Sequence, residues 1–300
     1  MSFSANVKNE ILCGVLENEC CRHAFAYGMM LFSRAFSYYD IFLLTEHEGV
    51  ANKYSELMQT VCGVKPKLTK SDAGKFKVEV TKKEDRLKVM ETFGYDKKNG
   101  GSRLNWSNIT DECCKMAFLK GAFLTCGTVN DPNKNYHLEF VVPYLNLSRD
   151  LKLFINDYDE LSVEPKSITR NSNYVVYFKD SESIEDLLTV MGAFNSSLEI
   201  MGVKMYKDMR NHVNRKLNFE NANLDKTLDA SSKQVNAILH IKNTVGLSYL
   251  SEDLKELAEL RLENPDMSLR ELGEKLSNSL SRSGVNHRLQ RICEISKNIK

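Results

Sequence analysis

Apolar positions recur along this chain at two spacings, and the switches between them mark out its elements. Val7, Ile11, Leu12 and Val15 share one face of a 3.6-residue period behind a serine-bearing start at Ser2–Ser4, which predicts a capped N-terminal helix. His23–Phe36 is a second helical stretch and carries Gly28. Tyr38, Tyr39, Ile41, Phe42 and Leu44 read as strand, Ala51–Cys62 as a helix stopped by Gly63, and Lys65–Leu68 with Lys75–Thr81 as a hairpin around Ser71-Asp72-Ala73-Gly74. Lys82–Phe93 is a charged helix ended at Gly94, and Lys97–Gly101 (KKNGG) reads as a linker.

Past the linker the same order returns. Phe118–Val129 predicts a buried helix, with Phe118, Ala122 and Thr125 on one face and Leu119 and Phe123 on the next. Gly121 in its interior costs about 1 kcal/mol against Ala, which implies that another backbone passes close by. Gly28 is the natural partner, and aligning the two glycines sets Ser33 opposite Cys126. Turn chemistry at Asn130–Pro132 leads to a strand at Tyr136–Val142, a helix at Leu147–Tyr158, a second hairpin around Asn171-Ser172-Asn173 and a helix at Ser183–Phe194. Neither copy buries its sheet alone, so the two are expected to pair about a pseudo-twofold seam. The fold class is α+β, with this repeated domain over 1–203 (repeats about 1–96 and 102–203), a polar connector over 204–224, and an all-α module over 225–300.

In that last module Ser231–Thr244 is helical, Ser251 caps a helix running through Leu254, Leu257, Ala258, Leu260 and Arg261 to Asn264-Pro265, and Ser268 with Glu271 forms a capping box ahead of LRELGEKL. The polar turn Asn278–Ser281 joins it to a final helix, the order of a helix-turn-helix. Val285, Leu289, Ile292 and Ile295 form that helix's buried stripe and turn Arg282, Asn286, His287, Arg288 and Arg291 partly or wholly outward.

Composition changes this picture in five places. At 300 residues, 42% hydrophobic and 9% aromatic, the chain can fill more than one core. A net charge of only +1 hides any nucleic-acid partner globally, yet residues 277–300 set Arg282, Arg288, Arg291, Lys297 and Lys300 against the single acid Glu294. Arg pairs with guanine and Asn with adenine in the major groove, while Ser283 at a helix start suits a phosphate. The candidate DNA contacts are therefore Arg282, Ser283, Asn286, His287, Arg288 and Arg291, joined by Asn214 and Arg215 on the connector. Alternating lysines such as Lys75 and Lys77 line the first hairpin, where a solvated sheet face competes with phosphate contact. The eight cysteines include two adjacent pairs and no CxxC, so reduced thiols are expected. No apolar run approaches a membrane span, which points to a soluble, intracellular protein.

The repeated architecture resembles the LAGLIDADG homing-endonuclease fold. In that family two acidic residues at the seam hold divalent metal for phosphodiester cleavage. Here those positions fall at Ser33 before Arg34 and at Cys126 before Gly127, so neither metal, cofactor nor catalytic residue is expected. SFSANVKNEIL, FLKGAFLTCGTVNDPNKNYHLEF, NRKLNFENANLDKT, LAELRLENPDMSLRELGEKL and SRSGVNHRLQRI together resemble the WhiA family over nearly the whole chain. That resemblance implies a double-stranded-DNA-binding regulator of transcription acting in cell division and chromosome segregation, and in sporulation where spores form. It also implies that the helix-turn-helix does most of the reading. This module's likeness to the promoter-reading part of sigma factors makes RNA polymerase or another regulator a candidate partner. An internal pseudo-twofold lowers the need for a homodimer, so a monomer is expected. Two alternatives stand beside this: a residual metal-dependent endonuclease, and a protein-interaction scaffold.

Overall fold

Ser2 accepts a hydrogen bond from the Ala5 N–H and so starts α1 (Phe3–Cys13), whose Val7 and Ile11 are buried. The computed structural model describes residues 2–16, 18–96, 102–158, 161 and 163–299; the linker expected at Lys97–Gly101, and Lys300, fall outside them. Two compact units result, residues 1–207 and 208–300.

In the first unit α2 (Glu19–Leu31) leads to β1 (Ala35–Phe36), β2 (Ile41–Thr45), α3 (Glu48–Cys62), β3 (Lys67–Lys70), β4 (Phe76–Glu79) and α4 (Lys83–Thr92). The strands form an antiparallel sheet in the order β1-β2-β4-β3. After a 3₁₀ turn at Trp106–Asn108 the pattern repeats as α5 (Glu112–Cys126), β5 (Gly127–Val129), β6 (Leu138–Val142), α6 (Leu145–Asn156), β7 (Lys166–Arg170), β8 (Asn173–Phe178) and α7 (Ser181–Val190). Its sheet order, β5-β6-β8-β7, duplicates the first. Each sheet buries alternate residues: Phe76 and Val78 go inward while Lys77 and Glu79 face out, and Leu138, Phe140 and Val142 go inward while Glu139 faces out.

Helices α2 and α5 cross at the middle of this unit. A Cβ built on Gly28 would stand 2.3 Å from the Phe118 carbonyl oxygen, and one on Gly121 would stand 2.2 Å from that of Phe25. Only glycine permits that approach. Around the crossing Phe25, Tyr27, Met29, Phe118, Leu119 and Ala122 are all buried.

Three local readings of the sequence are corrected. Tyr38–Leu44 is not one strand, because Ser37 closes a turn ahead of β2: its N–H donates to the Asp40 carbonyl at 2.9 Å and its Oγ accepts from the Tyr39 and Asp40 N–H groups. The strand propensity of two tyrosines masked that turn. Phe118–Val129 is helical only to Cys126, after which Gly127 turns the chain into β5. Helix α7 stops at Val190, since Gly192 takes a left-handed φ of 79°, and a new helix begins at Phe194.

That new helix is α8 (Phe194–Thr244), 51 residues without interruption. It runs unbroken through the polar connector at 204–224. No proline occurs in this span and no glycine follows Gly202 until Gly246, so the Asn-rich stretch contains nothing strong enough to stop a helix. Beyond it lie α9 (Glu252–Glu263), α10 (Leu269–Lys275) and α11 (Arg282–Asn298). They pack through Ile238, Ile241, Leu257, Leu272, Val285 and Leu289. Among the described residues no helix is long and apolar enough to cross a membrane.

Candidate nucleic-acid interface

A recognition helix must be held rigidly before it can read bases, and the second unit supplies four holds. Arg261 is 2% exposed at the end of α9. Its guanidinium donates to Gln234 Oε1 at 3.0 and 2.8 Å, to the Met267 carbonyl at 2.6 Å and to the Pro265 carbonyl at 3.3 Å, tying α8, α9 and the loop before α10 together. Ser268 and Glu271 form the capping box that opens α10, and Ser268 holds the Glu271 carboxyl below the usual carboxylate range. Gly273 provides the third hold: a Cβ there would stand 2.2 Å from the Leu280 carbonyl oxygen, and the Gly273 carbonyl accepts the Leu280 N–H at 3.0 Å. The turn between α10 and α11 is thereby pressed against α10. Glu256 accepts from both the N–H and Oγ of Ser277, which fixes the start of that turn and depresses the Glu256 carboxyl.

Ser281 caps α11 by accepting the Gly284 N–H, and its Oγ lies 3.0 Å from Ser283 Oγ. With Val285, Leu289 and Ile292 buried, a rotation of about 100° per residue centres the outward face on His287 and Glu294, flanked by Ser283, Gln290 and Arg291, with Asn286 nearer the buried stripe. Ser283, His287, Gln290 and Arg291 are exposed and Asn286 is half-buried, so amide, imidazole and guanidinium groups share one surface. Arg282 is exposed at the first turn. Arg288 lies at the edge of this face and turns toward α9, where its Nη2 pairs with Asp253 Oδ2 at 3.3 Å. Gln290 was missed by the sequence reading, which followed positive charge, although its spacing of seven residues from Ser283 places it on the same line. Asn214 and Arg215 are exposed on α8.

The sheets of the first unit present a different chemistry. Lys77 pairs with Glu79, Lys75 with Glu46 at 3.4 Å, and Arg170 with Glu139 at 2.7 Å. These cations are already matched by acids, as on a solvated sheet face.

At the end of the α2–α5 crossing a cleft of about 250 Å³ is lined by Ser33, Cys126, Lys8, Arg34, Thr125 and Asn173 among others, and by no carboxylate among the described residues. Ser33 Oγ donates to the Met30 and Ala35 carbonyls at 2.7 and 3.0 Å, so its hydroxyl is already engaged. Burial pushes the Cys126 thiol up to about 12. Lys8 Nζ donates to the Leu124 carbonyl at 3.1 Å, and burial pushes this ammonium down to about 8. A cationic, thiol-bearing cleft does not fit Mg²⁺, which needs carboxylate oxygens, and no cleavage step is assigned to it.

Residues 115–210 match the model of the WhiA LAGLIDADG-like domain, and residues 213–296 that of the WhiA C-terminal HTH domain. The chain is 39% identical over 319 aligned positions to the protein described as "Probable cell division protein WhiA" from Alkaliphilus oremlandii, covering 100% of this chain and 98% of that one. Proteins of the same description from Thermoanaerobacter pseudethanolicus and Clostridium botulinum are 39% and 35% identical over 100% of this chain and 98% and 99% of theirs. The crystal structure of full-length DUF199/WhiA from Thermatoga maritima superposes with a TM-score of 0.58 at 23% identity, covering 100% of this chain and 99% of that one, and shares its fold. With both domain types matched and relatives aligned from end to end, the chain belongs to the WhiA family.

Proposed function

We propose that this protein binds double-stranded DNA sequence-specifically through α11 and regulates transcription in cell division and chromosome segregation, and sporulation where spores form. The observation that carries this reading is the outward face of α11, where Ser283, Asn286, His287, Gln290 and Arg291 stand together on a helix anchored by the buried Val285, Leu289 and Ile292. Arg291 and Arg282 supply phosphate or guanine contacts, and Asn286 and Gln290 supply paired donors and acceptors for adenine. Exposed Asn214 and Arg215 are proposed as further phosphate contacts. The relatives' description as cell division proteins supports the biological setting.

The protein acts without catalysis, a reading supported by the cleft at Ser33 and Cys126, which among the described residues offers no carboxylate to a hard metal. It works on the nucleoid in the cytoplasm, as a monomer with its own internal twofold, and with RNA polymerase or another regulator as partner. Genome-wide mapping of bound sites tests the reading. Discrete sites near promoters, lost when Gln290 and Arg291 become Ala, are expected; an unchanged map in that variant overturns the assignment. Nicking of supercoiled DNA by the purified protein with Mg²⁺ or Mn²⁺ would overturn the non-catalytic part.

A further inference from the structure

Cys20 and Cys21 lie in the first turn of α2, and Cys113 and Cys114 in the first turn of α5. Each pair precedes its seam glycine by the same eight and seven residues, Gly28 in one repeat and Gly121 in the other. The repeat therefore carries both pairs to the same end of the helix crossing. All four Sγ atoms lie within 4.8 Å of one another, and Cys20 Sγ is 4.0 Å from Cys113 Sγ. A tetrahedral zinc with bonds of about 2.3 Å sets its sulfurs about 3.8 Å apart, so the thiols stand within about 1 Å of ligand spacing. A disulfide needs about 2.05 Å, and adjacent cysteines within a pair are poor partners for each other.

The surroundings suit a bound cation held by thiolates. The side chains of Asn18 and Asp111 do not cap their helices, so the positive ends of two helix dipoles face the sulfurs and favour their anionic form. Cys21 and Cys114 are 8% and 1% exposed and form a closed floor, while Cys20 and Cys113 open to solvent and leave an entry path. Lys120 joins Cys21 and Cys113 in the lining of the neighbouring pocket, where a cation offsets the negative charge of a four-thiolate centre. An all-sulfur donor set selects a soft or borderline metal and rejects Mg²⁺ and Ca²⁺.

We propose that Cys20, Cys21, Cys113 and Cys114 form a structural zinc site that clamps the two repeats at the N-terminal ends of α2 and α5. The glycine crossing joins these helices at mid-length, and the metal joins them at one end. Because the clamp spans residues 93 apart in sequence, zinc binding closes a long loop and its free energy adds to the stability of the first unit.

The test uses the full chain purified under reducing, oxygen-free conditions. Elemental analysis is expected to find one zinc per chain, and replacement by Co²⁺ to give the visible bands of a tetrahedral cobalt–thiolate centre. Chelation should lower the Tm of the first unit by about 5 °C or more. The Cys20→Ser/Cys113→Ser double variant should lose the metal, and Cys13→Ser/Cys293→Ser should keep it. If the first pair of substitutions prevents folding, alkylation of the unmutated chain decides: zinc should protect Cys20, Cys21, Cys113 and Cys114 from the reagent and leave Cys13 reactive. Failure to bind Zn²⁺ or Co²⁺ with all four thiols reactive overturns the proposal. So do a disulfide between the pairs, an iron–sulfur absorption spectrum, or zinc retained at full stoichiometry by the folded Cys20→Ser/Cys113→Ser variant.

Discussion

Gly28→Ala sets two known effects against each other at the α2–α5 crossing. In an isolated helix the change would stabilise by about 1 kcal/mol through propensity. Here the new Cβ stands 2.3 Å from the Phe118 carbonyl oxygen and 3.0 Å from the Ala122 nitrogen, both main-chain atoms that cannot rotate away. An ordinary carbon–oxygen contact needs about 3.3 Å, so the helices must separate by roughly 1 Å, and a gap of that size forfeits a quarter to a half of each dispersion contact along the seam. Overpacking costs about 1–3 kcal/mol, and the upper end applies where both obstacles are backbone, which leaves a net loss of about 2 kcal/mol after propensity. Trp106, the single tryptophan, lies in this unit with its ring 6.3 Å from that of Phe154, so its fluorescence follows unfolding of the first unit. A urea titration should show the midpoint fall by about 1 M at an m-value near 2 kcal/mol/M. Gly121→Ala should behave alike, and the double variant should lose less than the two single losses combined, because one separation relieves both clashes. A midpoint that is unchanged or raised in Gly28→Ala would refute the close approach.

Further consequences concern the second unit and the cleft. Arg261→Met removes the donors that satisfy Gln234 Oε1 and the Met267 and Pro265 carbonyls, and should destabilise the second unit by about 3–5 kcal/mol, read as the loss of a helical melting transition by circular dichroism. Arg261→Lys should rescue little, since an ammonium cannot reproduce the forked contact with Gln234. Gly273→Ala should lower the same transition, because its Cβ meets the Leu280 carbonyl oxygen at 2.2 Å; an unshifted transition would exclude the pressed turn. Lys8 is held at about 8 in the folded chain against an ordinary lysine value of 10.5, so the unfolded chain binds more protons between these values. Its burial penalty is full below pH 8 and is relieved as pH rises toward 10.5. Relative to Lys8→Met, the wild type should gain stability over that window by on the order of 3 kcal/mol at most, measured by urea unfolding; parallel pH profiles of the two proteins would contradict the buried ammonium.

How much of this was readable from the sequence depends on the reach of each interaction. The duplicated order of helices and strands was legible because hydrophobic period and turn residues are local, and Gly28 and Gly121 drew notice because a helix interior normally rejects glycine. The capping box at Ser268 and the apolar stripe of α11 were legible for the same reason. The turn at Ser37 was hidden behind strand-forming tyrosines, and β5 behind the helical pattern that ends at Cys126. The helical course of the polar, Asn-rich connector was open to reading, because nothing in it breaks a helix. Arg261 looked like one more residue on an amphipathic helix, since its acceptors lie 27 residues before it and in the following loop. The cysteines were counted as separate pairs. Their equal offsets from the two glycines were the available signal, and only the fold brings the sulfurs together.

The central claim is that the outward face of α11 reads DNA. Fluorescence anisotropy on a duplex taken from the strongest mapped site, repeated across a salt series, tests it most directly. Gln290→Ala and Arg291→Ala should each weaken specific binding by about 5- to 150-fold, the equivalent of about 1–3 kcal/mol per paired base contact, and Arg282→Ala should reduce the salt slope by about one. Circular dichroism should remain unchanged in all three, because these side chains are exposed. Wild-type affinity and an unaltered salt slope in the combined Arg282→Ala/Gln290→Ala/Arg291→Ala variant would contradict the account.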